Sequence, residues 1–156
     1  MTVVYVALGS NLGDRRAHLD AAVRGLPAAR VSKYYETPAL LAPGDTTPQP
    51  AYLNAVAEVA TELEPRAFLQ RLRELERAEG RPEERARWAA RTLDLDVLLF
   101  GDRVIDEPEL KVPHPRMHER RFVLEPLAEL APEVVHPVLK ASVRELLDRT
   151  KEHRPA

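Results

Sequence analysis

The 156-residue sequence predicts an α+β fold in a single domain, residues 1–156, and three observations carry this prediction. Short runs of β-branched and aliphatic residues alternate with two amphipathic stretches. Proline or glycine separates most of these segments. Hydrophobic residues make up 44% of the chain, which is enough to bury a core. Together these features predict the order β-α-β-β-α-β, followed by shorter C-terminal elements.

The first three elements lie in the N-terminal third of the chain. Residues 2–8 are rich in β-branched side chains and predict a strand. A helix is expected over about 14–26, because Pro27 follows its apolar periodicity. Residues 31–36 predict a second strand. The proline-rich segment 38–51 is expected to be a loop, and a loop of that length in a compact domain is usually functional.

The remaining elements follow the same logic. Residues 52–63 predict a third strand, and a second helix is expected to begin at Pro65 and end near Gly80. A charged loop, 80–92, leads to a fourth strand within 91–100. The C-terminal additions are a short strand near 103–105 and helical segments near 122–130 and 142–149.

This order of elements is that of the ferredoxin-like βαββαβ core. Such a core places both helices on one face of an antiparallel-rich sheet. The opposite face is expected to be open, and a site formed by the acidic pair described below would lie there.

Composition excludes several classes of protein. The net charge of −2 gives no overall field toward nucleic acid or an anionic membrane, and no apolar run approaches the length of a membrane span. The absence of cysteine excludes disulfides, thiolate chemistry and cysteine-ligated zinc, and it fits a cytoplasmic protein. Aromatic residues are only 5% and no RNP-like run exists, which disfavours an RNA-binding module of the same fold.

The stretch RTLDLDVLLF, residues 91–100, predicts an apolar strand that carries two carboxylates. Residues i and i+2 of a strand point to the same side, about 7 Å apart, so Asp94 and Asp96 share one face. Mg²⁺ prefers such hard oxygen ligands and takes one or two carboxylates together with phosphate oxygens and water. A solvated sheet face is the alternative. The opposite face is expected to carry Leu93, Leu95, Val97 and Leu99.

Basic residues flank this strand on both sides. The preceding segment, GRPEERARWAAR, has four arginines against two glutamates, and more basic residues follow at 114–121. Guanidinium groups fork onto phosphate oxygens, so arginines that converge on the acid pair would bind a polyphosphate. A solvated charged loop is the alternative.

Other phosphate-transfer and metal motifs are missing. The sequence has no GxxxxGK[ST], no GxSxG and no protein-kinase signature set, and GSNLGDR is not GxGxxG. His114 lies between Pro113 and Pro115, which disfavours one helix that presents His114 and His118 to zinc.

Five segments occur in an order that resembles one enzyme family. They are ALGSNLGDR, YYETPAL, YLNAVAEV, RWAARTLDLDVLLFG and VPHPRMHERRFVLEPLAELAPEVVHP. Over residues 1–138 the chain resembles the 6-hydroxymethyl-7,8-dihydropterin pyrophosphokinases of folate biosynthesis. The resemblance implies transfer of pyrophosphate from ATP to the hydroxymethyl group of the dihydropterin, with release of AMP and with two Mg²⁺ ions.

The resemblance also implies roles for individual residues. Asp94 and Asp96 would be metal ligands, and Arg81 and Arg91 would complete the catalytic set. The ATP contacts would be Arg73, Glu76, Arg87, Arg91, Val97, Leu110, His114 and Arg120. The pterin pocket would be formed by Thr37, Pro38, Leu40, Tyr52, Asn54, Trp88 and Phe122.

Aromatic faces and an amide suit a flat pterin rich in donors and acceptors. The alternatives are a packing role for Trp88 and a core position on a helix for Phe122. The chain departs from many family members at Glu83, Ala89-Ala90 and Pro115. A phosphohydrolase, a nucleotidyltransferase or a regulatory metabolite-binding domain remains an alternative to the pyrophosphokinase. A monomer is expected.

Overall fold

A computed structural model describes residues 1–38, 44, 50–80 and 92–152. The predicted order of elements is confirmed within these ranges. A 3₁₀ turn covers Met117–Glu119. The strands and helices are β1 (Thr2–Ser10), α1 (Arg15–Gly25), β2 (Arg30–Val31), β3 (Tyr35–Thr37), β4 (Tyr52–Thr61), α2 (Pro65–Ala78), β5 (Asp94–Phe100), β6 (Ile105–Asp106), β7 (Lys111–Val112), α3 (Arg121–Leu130) and α4 (Val143–Glu152).

The main sheet is antiparallel and has the strand order β2-β4-β1-β5, with β3 also paired to β4. The first strand along the chain therefore lies between β4 and β5. This is the arrangement expected for the ferredoxin-like core, which confirms the predicted fold class. The short pair β6–β7 forms a separate two-stranded sheet.

The predicted second strand is divided into β2 and β3. Val31 pairs with Ala57 whereas Tyr35 pairs with Asn54, so this side has one more residue than β4 between the two pairs. Ser32 occupies the irregularity and accepts the N–H of Val56 with its hydroxyl oxygen, 3.0 Å away. A side chain thus replaces a ladder carbonyl, which explains why the strand is interrupted here.

The helices α1 and α2 cover one face of the sheet. Asp14 caps α1 by accepting the N–H of Ala17 at 3.1 Å, and Pro65 opens α2 as the sequence predicts. Their apolar faces and the facing strand residues form a first core. It includes Val4, Val6, Leu8, Leu19, Ala55, Ala57, Phe68, Leu72, Leu95, Val97 and Phe100.

The opposite face is partly covered by α3, and α4 packs against α3 and the 3₁₀ turn. The sequence predicts both helices only as C-terminal additions. Their apolar residues and the facing strand residues form a second core. It includes Tyr5, Val56, Leu98, Leu99, Met117, Val123, Leu124, Leu127 and Leu146. The end of this face nearest Gly9 and Asp94 forms the wall of a pocket. Among the helices of the described ranges, none combines the length and the apolarity needed to cross a bilayer.

A bulge in β5 changes which side chains face each core. Tyr5 of β1 pairs with Leu99, whereas Val6 pairs with Val97, so Leu98 has no partner in the register. Beyond the bulge the alternation is reversed, and both Leu98 and Leu99 belong to the second core. The expectation that Leu99 shares a face with Leu95 and Val97 is therefore wrong, because an extra residue inverts a period-2 pattern.

Candidate active site

A pocket of about 250 Å³ lies on the sheet face opposite α1 and α2. It is bounded by the ends of β1, β3, β4 and β5, the segment before the 3₁₀ turn, and the start of α3. The structure brings nine predicted site residues into this one pocket. They are Thr37, Pro38, Tyr52, Asn54, Asp94, Asp96, His114, Arg120 and Phe122.

Asp94 and Asp96 form the wall of the pocket contributed by β5. They are paired across the sheet with Gly9 and Ala7 of β1, which also line the pocket. Both acids are half-buried on the same side of the strand, as the alternation predicts. The two small residues opposite them leave open space in front of the carboxylates.

The donor set fits Mg²⁺ ions that are shared with a polyphosphate. Among the described residues, no group of three or more histidine, cysteine, aspartate or glutamate side chains could hold a metal by itself. Two carboxylates on an open wall match an ion that takes its remaining ligands from phosphate and water. The acid pair therefore suits a site completed by a phosphorylated substrate.

His114 is held at the pocket as a neutral imidazole. Its backbone N–H bonds the carbonyl of Leu98 at 3.0 Å, and its Nδ1 accepts the backbone N–H of Arg116 at 3.1 Å. Burial, with further contributions from the charges of Arg120 and Arg116, lowers the pKa of His114 from 6.5 to about 4, although Asp94 opposes the shift. Because Nδ1 is an acceptor, the ring proton lies on Nε2, where it can be donated to a ligand.

Asn54 and Thr37 are joined across two strands at the other end of the pocket. The amide nitrogen of Asn54 donates to the hydroxyl of Thr37 at 2.5 Å. Asn54 is buried, so this bond fixes the orientation of an amide that can read the edge of a planar heterocycle.

Gly9 belongs to the pocket although the sequence gives no direct sign of it. An added Cβ would lie 3.4 Å from Asn54 Oδ1 and 3.4 Å from Tyr52 Cδ1. Alternation along β1 places Ala7 and Gly9 on the face opposite Leu8. This alternation is the feature of the sequence that could have indicated Gly9 as a pocket residue. Leu98 and Val123 also line the pocket, but they depend on the bulge in β5 and on the docking of α3.

Phe122 and Arg120 enter the pocket from the N-terminal end of α3. The guanidinium carbon of Arg120 lies 5.7 Å from the ring centroid of Phe122. Phe122 lines the pocket and also packs against the second core, and its role as a stacking partner of a pterin stays a prediction.

Two residues of the segment GSNLGDR donate hydrogen bonds to residues at the rim of the pocket. Asn11 donates its amide to the carbonyl of Pro50 at 3.2 Å. Arg15 donates to the carbonyl of Ala51 at 2.9 Å and to Glu36 at 3.2 Å. Arg15 thereby joins β3 to the start of β4, next to Thr37 and Tyr52.

Four predicted ATP contacts lie outside this pocket. Val97 and Leu110 are buried in the first core, and Glu76 is buried against β5. Arg73 donates to Glu76 at 2.7 Å and is about one-third exposed at its side chain. A role in nucleotide binding stays a prediction for these four. The predicted residues Leu40, Arg81, Arg87, Trp88 and Arg91, as well as Glu83 and Ala89-Ala90, lie outside the described residues.

Comparisons with known proteins agree with one another. The sequence profile of the 7,8-dihydro-6-hydroxymethylpterin-pyrophosphokinase (HPPK) family matches residues 5–132. A 2-amino-4-hydroxy-6-hydroxymethyldihydropteridine pyrophosphokinase of Pseudomonas aeruginosa is 46% identical, and the match covers 86% of this chain and 83% of that protein. The protein of the same name in Haemophilus influenzae is 39% identical, with coverage of 99% and 96%.

The fold is shared with solved structures of longer chains. A Plasmodium falciparum HPPK-DHPS chain superposes on 97% of this chain with a TM-score of 0.74 at 15% sequence identity. This chain spans about 46% of that solved chain. A second HPPK-DHPS structure, described as a complex with substrates, gives a TM-score of 0.74 at 12% identity.

Proposed function

This chain belongs to the 7,8-dihydro-6-hydroxymethylpterin-pyrophosphokinase family, and we propose that it transfers pyrophosphate from ATP to the hydroxymethyl group of 6-hydroxymethyl-7,8-dihydropterin. The products are AMP and the pyrophosphorylated pterin, an intermediate of folate biosynthesis. The observation that carries the proposal is that one pocket, lined by described residues, brings the acid pair beside an oriented amide and an aromatic ring.

We propose that one end of the pocket binds the pterin. Asn54, held by Thr37, presents an amide to the edge of the heterocycle, and Phe122 and Tyr52 offer aromatic surface to its faces. Gly9 leaves room for a flat ring between these groups. Leu40 and Trp88 are proposed to contribute to the same end of the pocket.

The other end is proposed to bind the phosphates of ATP. Asp94 and Asp96 would hold two Mg²⁺ ions, which when bound neutralise the phosphates and orient the reacting oxygens. His114 donates from Nε2 to a phosphate oxygen, and Arg120 offers a guanidinium on the same side. Arg73, Glu76, Arg87, Val97 and Leu110 complete the proposed nucleotide contacts.

The reaction is an in-line attack by the pterin hydroxyl oxygen on the β-phosphorus of ATP. The hydroxyl proton is released to solvent as the new oxygen–phosphorus bond forms. The bond from that phosphorus to the α–β bridging oxygen breaks, and AMP departs with the electron pair. Such a reaction depends on positioning and charge stabilisation, because the protein contributes no covalent step. Arg81 and Arg91 are proposed to offset the charge that develops on the bridging oxygen.

We also propose that residues 1–156 act as one catalytic domain and as a monomer in the cytoplasm. Both cores pack against the same sheet, which supports a single folding unit. Sedimentation equilibrium of the purified chain tests the monomer.

The test of the function is a product assay. The purified chain is mixed with ATP, Mg²⁺ and the dihydropterin, and nucleotides are separated by chromatography. Pterin-dependent AMP without ADP is expected. ADP, or nucleotide breakdown without pterin, would instead favour an ordinary kinase or a phosphohydrolase.

A conservative substitution tests whether the activity depends on the acid pair. Asp96→Asn keeps the shape of the side chain but removes the charge, so turnover is expected to fall by more than 100-fold while the circular dichroism spectrum is unchanged. Turnover within a few-fold of the parent would exclude a metal-ligand role for Asp96.

A further inference from the structure

We propose that Glu76, together with Arg73, is a positioning residue that fixes the backbone of β5 between the two catalytic carboxylates. This inference rests on the proposed role of Asp94 and Asp96 as metal ligands. It gives Glu76 a function in the reaction that does not require contact with the nucleotide.

The pair closes a ring of hydrogen bonds on Leu95. The backbone N–H of Leu95 donates to Glu76 Oε2 at 2.8 Å. Arg73 Nη1 donates both to Glu76 Oε1 at 2.7 Å and to the backbone carbonyl of Leu95 at 3.1 Å. Both polar groups of one strand residue are therefore bound by two side chains of α2.

These contacts occur on the edge of β5 that has no neighbouring strand among the described residues. The other edge of β5 pairs with β1, and Leu95 lies opposite Leu8 there. Because Leu95 directs its N–H and carbonyl away from β1, an acceptor and a donor must be supplied from elsewhere. Glu76 and Arg73 supply them in the arrangement that another strand would offer.

Glu76 is buried, so its carboxylate depends on these hydrogen bonds. Its side chain is only 2% exposed, and a buried carboxylate is tolerated only when it is paired and hydrogen-bonded. The burial of Glu76 also separates it from the pocket that Asp94 and Asp96 line. Replacing Glu76 with an apolar residue should destabilise the fold, because the buried N–H of Leu95 would then lose its acceptor.

The backbone position of Leu95 determines where Asp94 and Asp96 lie, because Leu95 is the residue between them. Its side chain is fully buried in the first core, and both polar groups of its backbone are bound by α2 on the edge away from β1. A rotation of the strand at Leu95 would move Asp94 and Asp96 together, since they project from the same side. The carboxylates of Asp94 and Asp96 project from one side of the strand and repel each other, so their spacing needs a rigid backbone.

The test compares Glu76→Leu with a control that is destabilised elsewhere in the first core. Leucine has nearly the volume of glutamate but cannot accept the N–H of Leu95. Val59→Ala removes buried volume from the same core near the end of β4 opposite Val4, far from the pocket. Urea unfolding of both variants establishes how closely their stabilities match. Glu76→Gln, which keeps one acceptor, provides conservative rescue and remains informative if Glu76→Leu does not fold.

Two measurements do not depend on turnover. Hydrogen exchange of the Leu95 amide, followed by NMR, is expected to be at least tenfold faster in Glu76→Leu than in Val59→Ala. Mn²⁺ binding, measured by electron paramagnetic resonance with a non-hydrolysable ATP analogue, is expected to weaken at least tenfold in Glu76→Leu and less in Glu76→Gln. Pterin affinity should remain within about twofold of the parent, because Thr37, Asn54 and Phe122 lie on other elements.

Equal losses of Mn²⁺ affinity in Glu76→Leu and Val59→Ala would overturn the inference and leave Glu76 with a purely structural role. Failure of the proposed function is recognised separately. In that case the parent forms no pterin-dependent AMP, and Asp96→Asn binds Mn²⁺ as well as the parent does.

Discussion

The neutral state of His114 predicts a measurable dependence of stability on pH. Its pKa is lowered from 6.5 to about 4 in the folded protein, so the unfolded chain binds a proton first as the pH falls. The stabilisation is complete above pH 6.5 and is lost as the pH falls toward 4. Between pH 7 and pH 5 this single group is expected to lower the free energy of unfolding by about 2 kcal/mol.

The perturbation that isolates this contribution is His114→Gln. Glutamine places an amide near the position of Nε2 but does not titrate, so the variant lacks this part of the pH dependence. The assay is urea unfolding, followed by circular dichroism, of parent and variant at pH 7 and pH 5. Contributions of the other histidines and of the carboxylates cancel in the comparison. The parent should lose about 2 kcal/mol more than the variant over this interval.

Equal losses of stability in parent and variant would refute the reasoning. A second observation bears on the ring directly. Long-range ¹H–¹⁵N NMR spectra at pH 7 should show the proton on Nε2, because Nδ1 accepts the N–H of Arg116. A proton on Nδ1, or a titration midpoint near 6.5, would contradict the proposed donor role.

Three further predictions concern Gly9 in the pocket, Arg15 at its rim and the proposed catalytic residue Arg81, which lies outside the described residues. Gly9→Val should weaken pterin binding at least tenfold, because the valine methyl groups would extend toward Asn54 and Tyr52. Gly9→Ala should bind pterin within about threefold of the parent, because its Cβ only reaches contact distance. Equal affinities of the two variants, measured by fluorescence titration, would show that this end of the pocket does not hold the pterin. Arg15→Ala should raise the KM for pterin about tenfold with little change in the KM for ATP, because it releases Ala51 and Glu36 at the rim; an effect on ATP alone in steady-state kinetics would reject this role. Arg81→Ala should lower kcat more than it weakens ATP binding, and a change confined to the ATP Kd would make Arg81 a binding residue only.

Several features of the site follow from the sequence because they depend on local geometry. The shared face of Asp94 and Asp96 needs only the two-residue period of a strand, and the structure places both on one wall. The starts of α1 and α2 follow from Asp14 and Pro65, whose effects act within one helical turn. Nine of the site residues that the family resemblance implies also meet in the pocket.

Other features depend on contacts between residues far apart in the chain. The bulge at Leu98, which turns Leu99 toward the second core, arises from the register between β1 and β5. The hydrogen bond from Arg15 to Ala51 joins positions 36 residues apart. No periodicity within either segment indicates such contacts, because they form only when the sheet is assembled.

Local periodicity therefore determined the elements, their order and the face on which the acids lie. The tertiary structure decided which small residues leave the pocket open, how His114 loses its charge and what holds Leu95 in place. Glu76 shows the difference most clearly, because helical spacing puts it near the apolar face of α2 and gives no hint of an acceptor for β5. Burial and hydrogen bonding are properties of the assembled fold, since both require partners that the chain brings together only by folding.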